Sequence, residues 1–434
     1  MFRLFLVFIF FQAGAVQAVL LSEMNPFDAE VLFTNPKCPS VEYKYPVKKN
    51  RGGYDTHSKE NVFCVDDREK TLSKKNGMRQ NSPQQRLVDW IRAEDTKEIY
   101  MAYLSFSDKR IQHEICDAMK SKNLILHLVL DSSRKQKAAE FLSRCDAEAN
   151  PEQQNFFFYP RGNIPGMGYA HVKLFVVNPS AQSSGVQLAV SSGNMSSGTH
   201  MHHENWIFFN VNRFSHFYQK HICLMENMID SNSRRARFKK DLLNCISKIR
   251  APEEADIRAR FTPGEELAAR DFIIDNIEKH DSIKMAAHRF SHKEILGALS
   301  NKLGKNPKAV KLLVDDDLYW GTKKQHLDPL TKGEVRRFEA LRAMGLKARF
   351  MQTNHRKKLL HHNKFIVFET KGEPSLVFMG AGNFTKAAFS KNLENYYLIE
   401  LASVTKRYKR QFNYMYGKLA TSWSSMPVKL PQIK

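Results

Sequence analysis

Acidic residues are scarce in this sequence: 45 Asp and Glu stand against 67 Lys and Arg in 434 residues, a formal charge of +22. A charge-balanced surface is excluded, and an anionic partner is implied, nucleic acid or phospholipid headgroups. The mean hydropathy of −0.48 rules out a polytopic membrane protein. No G-x-S-x-G elbow, P-loop or dinucleotide fingerprint occurs, so the familiar phosphate-cradling and serine-nucleophile motifs are missing. Cysteine is sparse, and none of the six lies in a C-x-x-C pair, which argues against a zinc ribbon or a thioredoxin-like site. Low-complexity tracts are absent as well. What remains is ample for a core: 42% of residues are hydrophobic and 11% aromatic, so most of the chain is expected to fold. The length fits two or three domains, or two fused halves of one design.

Met1 to Ala18 has the layout of a secretory signal peptide: Arg3, an unbroken apolar run from Leu4 to Phe11, then Val16 and Ala18 in the −3 and −1 places. The apolar stretch is short for a membrane span of ~20 residues. Cleavage and an exported, secreted or periplasmic chain are expected. Export permits disulfides among Cys38, Cys64, Cys116, Cys145, Cys223 and Cys245. Pairing of sequence neighbours (38–64, 116–145, 223–245) is one connectivity of many, and buried free thiols are the alternative.

The sequence repeats itself. Glu98 to Met119 (EIYMAYLSFSDKRIQHEICDAM) parallels Ser282 to Leu303 (SIKMAAHRFSHKEILGALSNKL), and each is followed by a Val/Leu-rich strand ending in Asp, at Asp131 and Asp317. Ser82-Pro83 and Thr262-Pro263 open the two copies before amphipathic helices. Strand, helix, strand at this spacing predicts βαβ units on a partly parallel sheet. Further on, His171-Val-Lys173, Asn194 and Glu204-Asn205 recur as His362-Asn-Lys364, Asn383 and Glu394-Asn395. His to Asn spans 23 and 21 residues, and Asn to Glu 10 and 11. Four residue types repeated in order do not arise from composition.

On a strand, His171 and Lys173 would project to one side, as would His362 and Lys364. Small residues before each Asn (Ser191, Ser192, Gly193; Gly380, Ala381, Gly382) allow a backbone to approach a ligand closely. If the halves pack about a pseudo-twofold axis, the quartets share one pocket suited to a phosphodiester. Lys and Asn hold non-bridging oxygens and stabilise a pentacovalent phosphorus. One imidazole attacks and the other protonates the leaving oxygen. Glu204 and Glu394 each fix the tautomer of a histidine. No metal or other cofactor need be invoked.

These strings resemble the duplicated H-x-K and G-S-x-N motifs of the phospholipase D superfamily, over roughly Ser82 to Trp423. The resemblance implies an α/β fold: two similar sandwich lobes related by a pseudo-twofold axis, with one active site at their interface. It places the catalytic residues at His171, His362, Lys173, Lys364, Asn194, Asn383, Glu204 and Glu394. His171 becomes the phosphohistidine nucleophile and His362 the general acid. Expected boundaries are a signal peptide (1–18), an N-terminal extension (19–81), lobe 1 (82–250) and lobe 2 (262–425). The family's Asp five residues after Lys is Asn178 and Glu369 here, and its motif serine is Ser192 but Ala381 in the second copy.

The expected activity is metal-independent hydrolysis of phospholipid headgroups, phosphatidylcholine-like to phosphatidic acid. A nuclease acting on DNA or RNA is the alternative, and a catalytically inactive binder of anionic surfaces is the rival from another class. Partners are thus a phospholipid surface or nucleic acid, with no obligate protein partner and a monomeric chain. His200, His202 and His203 lead to Glu204 without a Cys or acidic partner at a familiar ligand spacing, and are read as lining the pocket mouth. Asn194-Met-Ser and Asn383-Phe-Thr match the glycosylation sequon, by coincidence with the motif. The basic run from Arg234 to Lys240 reads as a solvated face. Arg356-Lys357-Lys358, just before the second H-x-K, could hold a phosphate-rich surface. Lys48 to Gly53 reads as an exposed turn.

Overall fold

The computed structural model describes residues 18–36, 47–48, 54–55, 82–196, 202–230, 234–316, 318, 333–353 and 359–422. The signal-peptide stretch to Gln17, Cys38, Cys64, the turn residues 49–53, His200 and the basic run 356–358 lie outside them. The first series of elements is β1 (Asp28–Thr34), the short pair β2 (Val47–Lys48) and β3 (Tyr54–Asp55), α1 (Pro83–Arg92), β4 (Glu98–Tyr103) and α2 (Lys109–Lys122). It continues with β5 (Ile125–Asp131), α3 (Lys137–Ala149), β6 (Phe156–Ile164), β7 (Met167–Tyr169), β8 (Leu174–Val177), β9 (Gly185–Ser191) and β10 (His202–Asn212). Helices α4 (His216–Asp230) and α5 (Arg235–Ile246) lead to the second series. That series begins with β11 (Ile257–Thr262), α6 (Glu266–Lys279), β12 (Ser282–Ala287), α7 (Lys293–Lys305), β13 (Val310–Asp315), α8 (Gly333–Ala343) and β14 (Lys347–Met351). It closes with β15 (Leu360–His361), β16 (Lys364–Thr370), β17 (Glu373–Gly380), α9 (Lys386–Ser390), β18 (Glu394–Ile399) and α10 (Ala402–Tyr414).

Local chemistry starts and stops these elements. Ser82 accepts from the Gln85 amide at 3.1 Å and Pro83 occupies the first turn of α1, so its missing N–H goes unneeded. Asp108 accepts from the Arg110 amide at 3.0 Å to cap α2, which ends at Asn123 in the left-handed region, φ 55°. Strands β4 and β12 are buried on both faces, which explains why they read as nearly continuous apolar runs.

The two sheets have the same strand order. One runs β1-β10-β9-β8-β4-β5-β6-β7, the other β11-β18-β17-β16-β12-β13-β14. In each, a βαβ unit makes a parallel pair (β4 with β5, β12 with β13) and the next neighbour is antiparallel (β8, β16). The duplication is therefore structural as well as sequential. The region expected as an extension supplies β1, which holds the place in the first sheet that β11 holds in the second. Thr34 pairs with Glu204 in register, and Thr262 with Glu394. Thr262-Pro263 thus ends an edge strand, whereas Ser82-Pro83 opens a helix.

One core packs the inner faces of both sheets, with Val176, Leu188, Val367 and Val377, against α4 and α10. Two further cores lie between each sheet and its own outer helices. Two of the neighbour disulfides are present, Cys116–Cys145 between α2 and α3 and Cys223–Cys245 between α4 and α5. Among the described residues no helix is long and apolar enough to cross a membrane.

Candidate active site

The two H-x-K triplets lie at the entrance to β8 and β16 rather than within a strand, as side-chain alternation had suggested; only Lys364 is itself a strand residue. The reason is the neighbour each one meets. His171 N–H donates to the Leu393 carbonyl at 2.9 Å and His362 N–H to the His203 carbonyl at 3.0 Å, so each triplet runs onto the other lobe's sheet. β15 pairs directly with β10 in parallel. The residues accepting these bonds immediately precede Glu394 and Glu204.

The carboxylate–histidine pairs are consequently crossed between lobes. His171 Nδ1 lies 2.7 Å from Glu394 Oε2, and His362 Nδ1 lies 2.9 and 3.0 Å from the two oxygens of Glu204. The next residue of each Glu-Asn dipeptide completes the clamp. Lys173 N–H donates to Asn395 Oδ1 at 3.0 Å, and Lys364 N–H to Asn205 Oδ1 at 3.4 Å. Asn395 and Asn205 are anchored in turn on the hydroxyls of Tyr397 and Tyr408. With Nδ1 engaged by carboxylate, Nε2 is the nitrogen left to each histidine for chemistry.

Lys173 and Lys364 are fully buried. Each ammonium donates to its own triplet's histidine carbonyl, at 2.8 and 2.9 Å, and Lys364 also to the Ser192 carbonyl at 3.2 Å. Burial pulls Lys173 down to about 8 and Lys364 well below the ordinary lysine range, although both sit in the field of both glutamates. An anionic ligand would raise both, favouring their charged forms. The Oδ1 of Asn383 is buried without a hydrogen-bond partner among the described residues, which leaves this amide unsatisfied on its acceptor side. A Cβ on Gly382 would sit 2.1 Å from the Tyr396 hydroxyl, so the turn carrying Asn383 admits only glycine there.

The pairs are not equivalent. Glu204 accepts from Ser192 Oγ at 2.6 Å and lies 3.3 Å from His202 Nδ1. Burial alone would raise its carboxyl, but His362, His202 and Lys364 hold it well below the usual range. In the second lobe Ala381 replaces the serine and Asn392 stands where His202 does, donating to Glu394 at 2.9 Å. Burial dominates there and pushes Glu394 up to about 8. Burial, then Lys173 and Lys364, hold the His171 imidazole well below the ordinary range, and burial does the same for His362.

The departures at the family's aspartate are structural. Asn178 has φ 51°, a conformation asparagine tolerates, and its Oδ1 accepts from the amides of Lys97 and Glu98 at 2.8 and 3.0 Å. Glu369 pairs with Lys284 and accepts from Ser282 Oγ at 2.7 Å. His202 and His203 flank the site, with the His202 and His362 rings 5.9 Å apart.

Sequence reasoning missed several contributors. Asn205 and Asn395 lie inside the repeat, but sequence spacing does not show that each clamps the other lobe's lysine amide. Thr34 accepts from the Glu204 amide at 2.9 Å, and nothing in the sequence near β1 signals that. His288, whose ring lies 5.1 Å from that of His362, and Arg134, whose charge acts on His171, come from loops where the two copies differ.

Residues 273–416 match the family model described as cardiolipin synthase, PLD-like domain. No curated protein matches the chain. Among solved structures, phosphatidylserine synthase of Haemophilus influenzae Rd KW20 is 14% identical with a TM-score of 0.56, covering 79% of this chain and 86% of that one. Nuc of Salmonella typhimurium, a phospholipase D family member, is 21% identical over 39% of this chain and 98% of its own, TM-score 0.31. Yeast tyrosyl-DNA phosphodiesterase is 10% identical over 72% and 86%, TM-score 0.46. The fold is two α/β lobes of the phospholipase D-like kind, as the motifs implied.

Proposed function

We propose that this chain, with its two phospholipase D-like lobes, is an exported, metal-independent phosphodiesterase working through a phosphohistidine. The observation that carries the proposal is the reciprocal pairing of each lobe's histidine with the other lobe's glutamate. Two imidazoles, each with Nδ1 held and Nε2 left for chemistry, are what a two-step displacement at phosphorus requires. In the first step His171 Nε2 attacks phosphorus, the P–O bond to the leaving alcohol breaks, and His362, which takes up a proton as the anionic substrate offsets the burial that keeps it neutral, passes its Nε2 proton to that oxygen. In the second, water attacks the phosphohistidine, His362 takes its proton, and His171 leaves. Lys173, Lys364, Asn194 and Asn383 surround the non-bridging oxygens, whose charge rises in both transition states.

The substrate we propose is a phospholipid headgroup ester, a phosphatidylcholine-like lipid giving phosphatidic acid. One observation favours a second reading, a nuclease. Tyr169, two residues before His171, is 45% exposed, and the Arg134 guanidinium lies over its ring at 5.6 Å. An exposed ring beside a cation at the edge of a phosphodiester site is a stacking platform for a nucleobase. The two disulfides suit an oxidising compartment.

The test offers the purified mature chain phosphatidylcholine vesicles and single- and double-stranded DNA, each with EDTA present. Released headgroup supports the lipase, cleaved DNA the nuclease, and no product from either returns the chain to an anionic-surface binder. Acid-labile, base-stable phosphate trapped on His171 would support the mechanism. Full activity in a His171→Ala variant would overturn it.

A further inference from the structure

We propose that His202, Glu204 and His362 form a binding site for one Zn²⁺ ion, or a similar borderline transition-metal ion, whose occupancy switches the phosphodiesterase off. His202 and Glu204 are two apart on β10 and project to one side of it, while His362 arrives from the other lobe. His362 Nδ1 lies 2.9 Å and His202 Nδ1 3.3 Å from the same oxygen, Glu204 Oε1. One ligand atom from each of the three residues falls within 4.8 Å of the others. Tetrahedral zinc with bonds of about 2.0–2.2 Å spaces its ligand atoms about 3.4 Å apart, so small side-chain adjustments suffice. Two imidazoles and one carboxylate are a familiar zinc donor set with a fourth position left for water.

The second lobe supplies the internal control. Glu394 has His171 on one side but Asn392 where Glu204 has His202, so only one of the two carboxylate–histidine pairs carries a third ligand. The sequence hid this set because His362 lies far along the chain from His202 and Glu204.

The consequence follows from the tautomer. A metal ion on His362 Nδ1 replaces the proton shared with Glu204 and leaves the remaining ring proton on Nε2. A metal-bound imidazole of that form has no lone pair to offer at Nε2, and its N–H is a weaker acid than an imidazolium. It therefore serves neither as nucleophile nor as proton donor. Catalysis without metal and inhibition by metal are thus properties of the same residues. This consequence rests on the phosphodiesterase reading, whereas binding of the ion does not.

The full chain, free of any histidine tag and stripped of metal, is titrated with Co²⁺, whose visible absorption is intense in low-symmetry four-coordinate sites. One equivalent should develop the band, and Zn²⁺ should abolish it. The variant His202→Asn, which copies the other lobe, should bind Co²⁺ at least roughly tenfold more weakly. In parallel, hydrolysis of bis(p-nitrophenyl) phosphate should be inhibited by Zn²⁺ and restored by EDTA. Half-inhibition of His202→Asn, referred to its own metal-free rate, should need about tenfold more Zn²⁺ or beyond. No stoichiometric Co²⁺ band, or equal Zn²⁺ sensitivity in the two proteins, overturns the site. A chain that develops the band but hydrolyses no diester overturns the proposed function and leaves the metal site standing. Circular dichroism of His202→Asn guards against misfolding.

Discussion

A proton inventory decides what each imidazole can do. Burial lifts Glu394 to about 8 while the His171 imidazole is held low, so near neutral pH the pair carries a carboxyl proton and a ring proton. Attack by His171 needs Nε2 bare and Nδ1–H facing a carboxylate, a form with one proton fewer. The turnover number at saturating substrate, where bound phosphate keeps Lys173 charged, should therefore rise with pH along a limb near 8. A falling limb there would transfer attack to His362, whose partner Glu204 is already ionised. The quartets themselves were legible from sequence because they occur twice in one order. Their ionisation was not, since it depends on Ser192 against Ala381 and His202 against Asn392, differences that matter only once both surround a carboxylate.

At the level of elements, the βαβ units and the adjoining strands could be read from apolar runs and helical periods, and the sheets follow them. β1 could not. Its sequence Asp-Ala-Glu-Val-Leu-Phe-Thr differs from Ile-Arg-Ala-Arg-Phe-Thr of β11 over most of its length, yet both lie antiparallel beside the strand bearing Glu204 or Glu394. What the two share is a terminal Phe-Thr and an edge position, a pattern too small to detect in isolation. The crossed clamp was hidden for another reason: spacing along a chain says nothing about which lobe's sheet a segment will meet. The turn after β17 gives a direct test. Gly382→Ala drives a methyl into the Tyr396 hydroxyl and should lose about 1–3 kcal/mol, seen as a lower urea midpoint. Adding Tyr396→Phe removes the opposing oxygen and should restore part of that loss. An unchanged midpoint in Gly382→Ala would show that the turn has room.

Across the whole molecule, the reciprocal pairing makes the lobes energetically inseparable at the site. Double-mutant cycles on catalytic efficiency should show strong coupling for His171 with Glu394 and for His362 with Glu204, of roughly 1–3 kcal/mol. The same-lobe combinations, His171 with Glu204 and His362 with Glu394, should couple less. The reverse ranking would contradict the crossed geometry. Stability should also depend on acid. His221 is buried between the Phe217 carbonyl and the Tyr397 hydroxyl, and burial holds it down to about 4. An unfolded histidine protonates near 6.5, so stability present above that value is lost as the pH falls towards 4, by on the order of 3 kcal/mol. Urea unfolding at stepped pH reads it, and a flat midpoint between neutrality and pH 4.5 would refute it.

The exchanged glutamates also carry a history. A single lobe of this design has its histidine but not the carboxylate that steers it, so an unduplicated ancestor would have been competent only as a twofold homodimer. Joined in one chain, the two halves need not be identical. Each could then accept a change that symmetry would have imposed twice, and the unlike surroundings of the two histidines record that freedom.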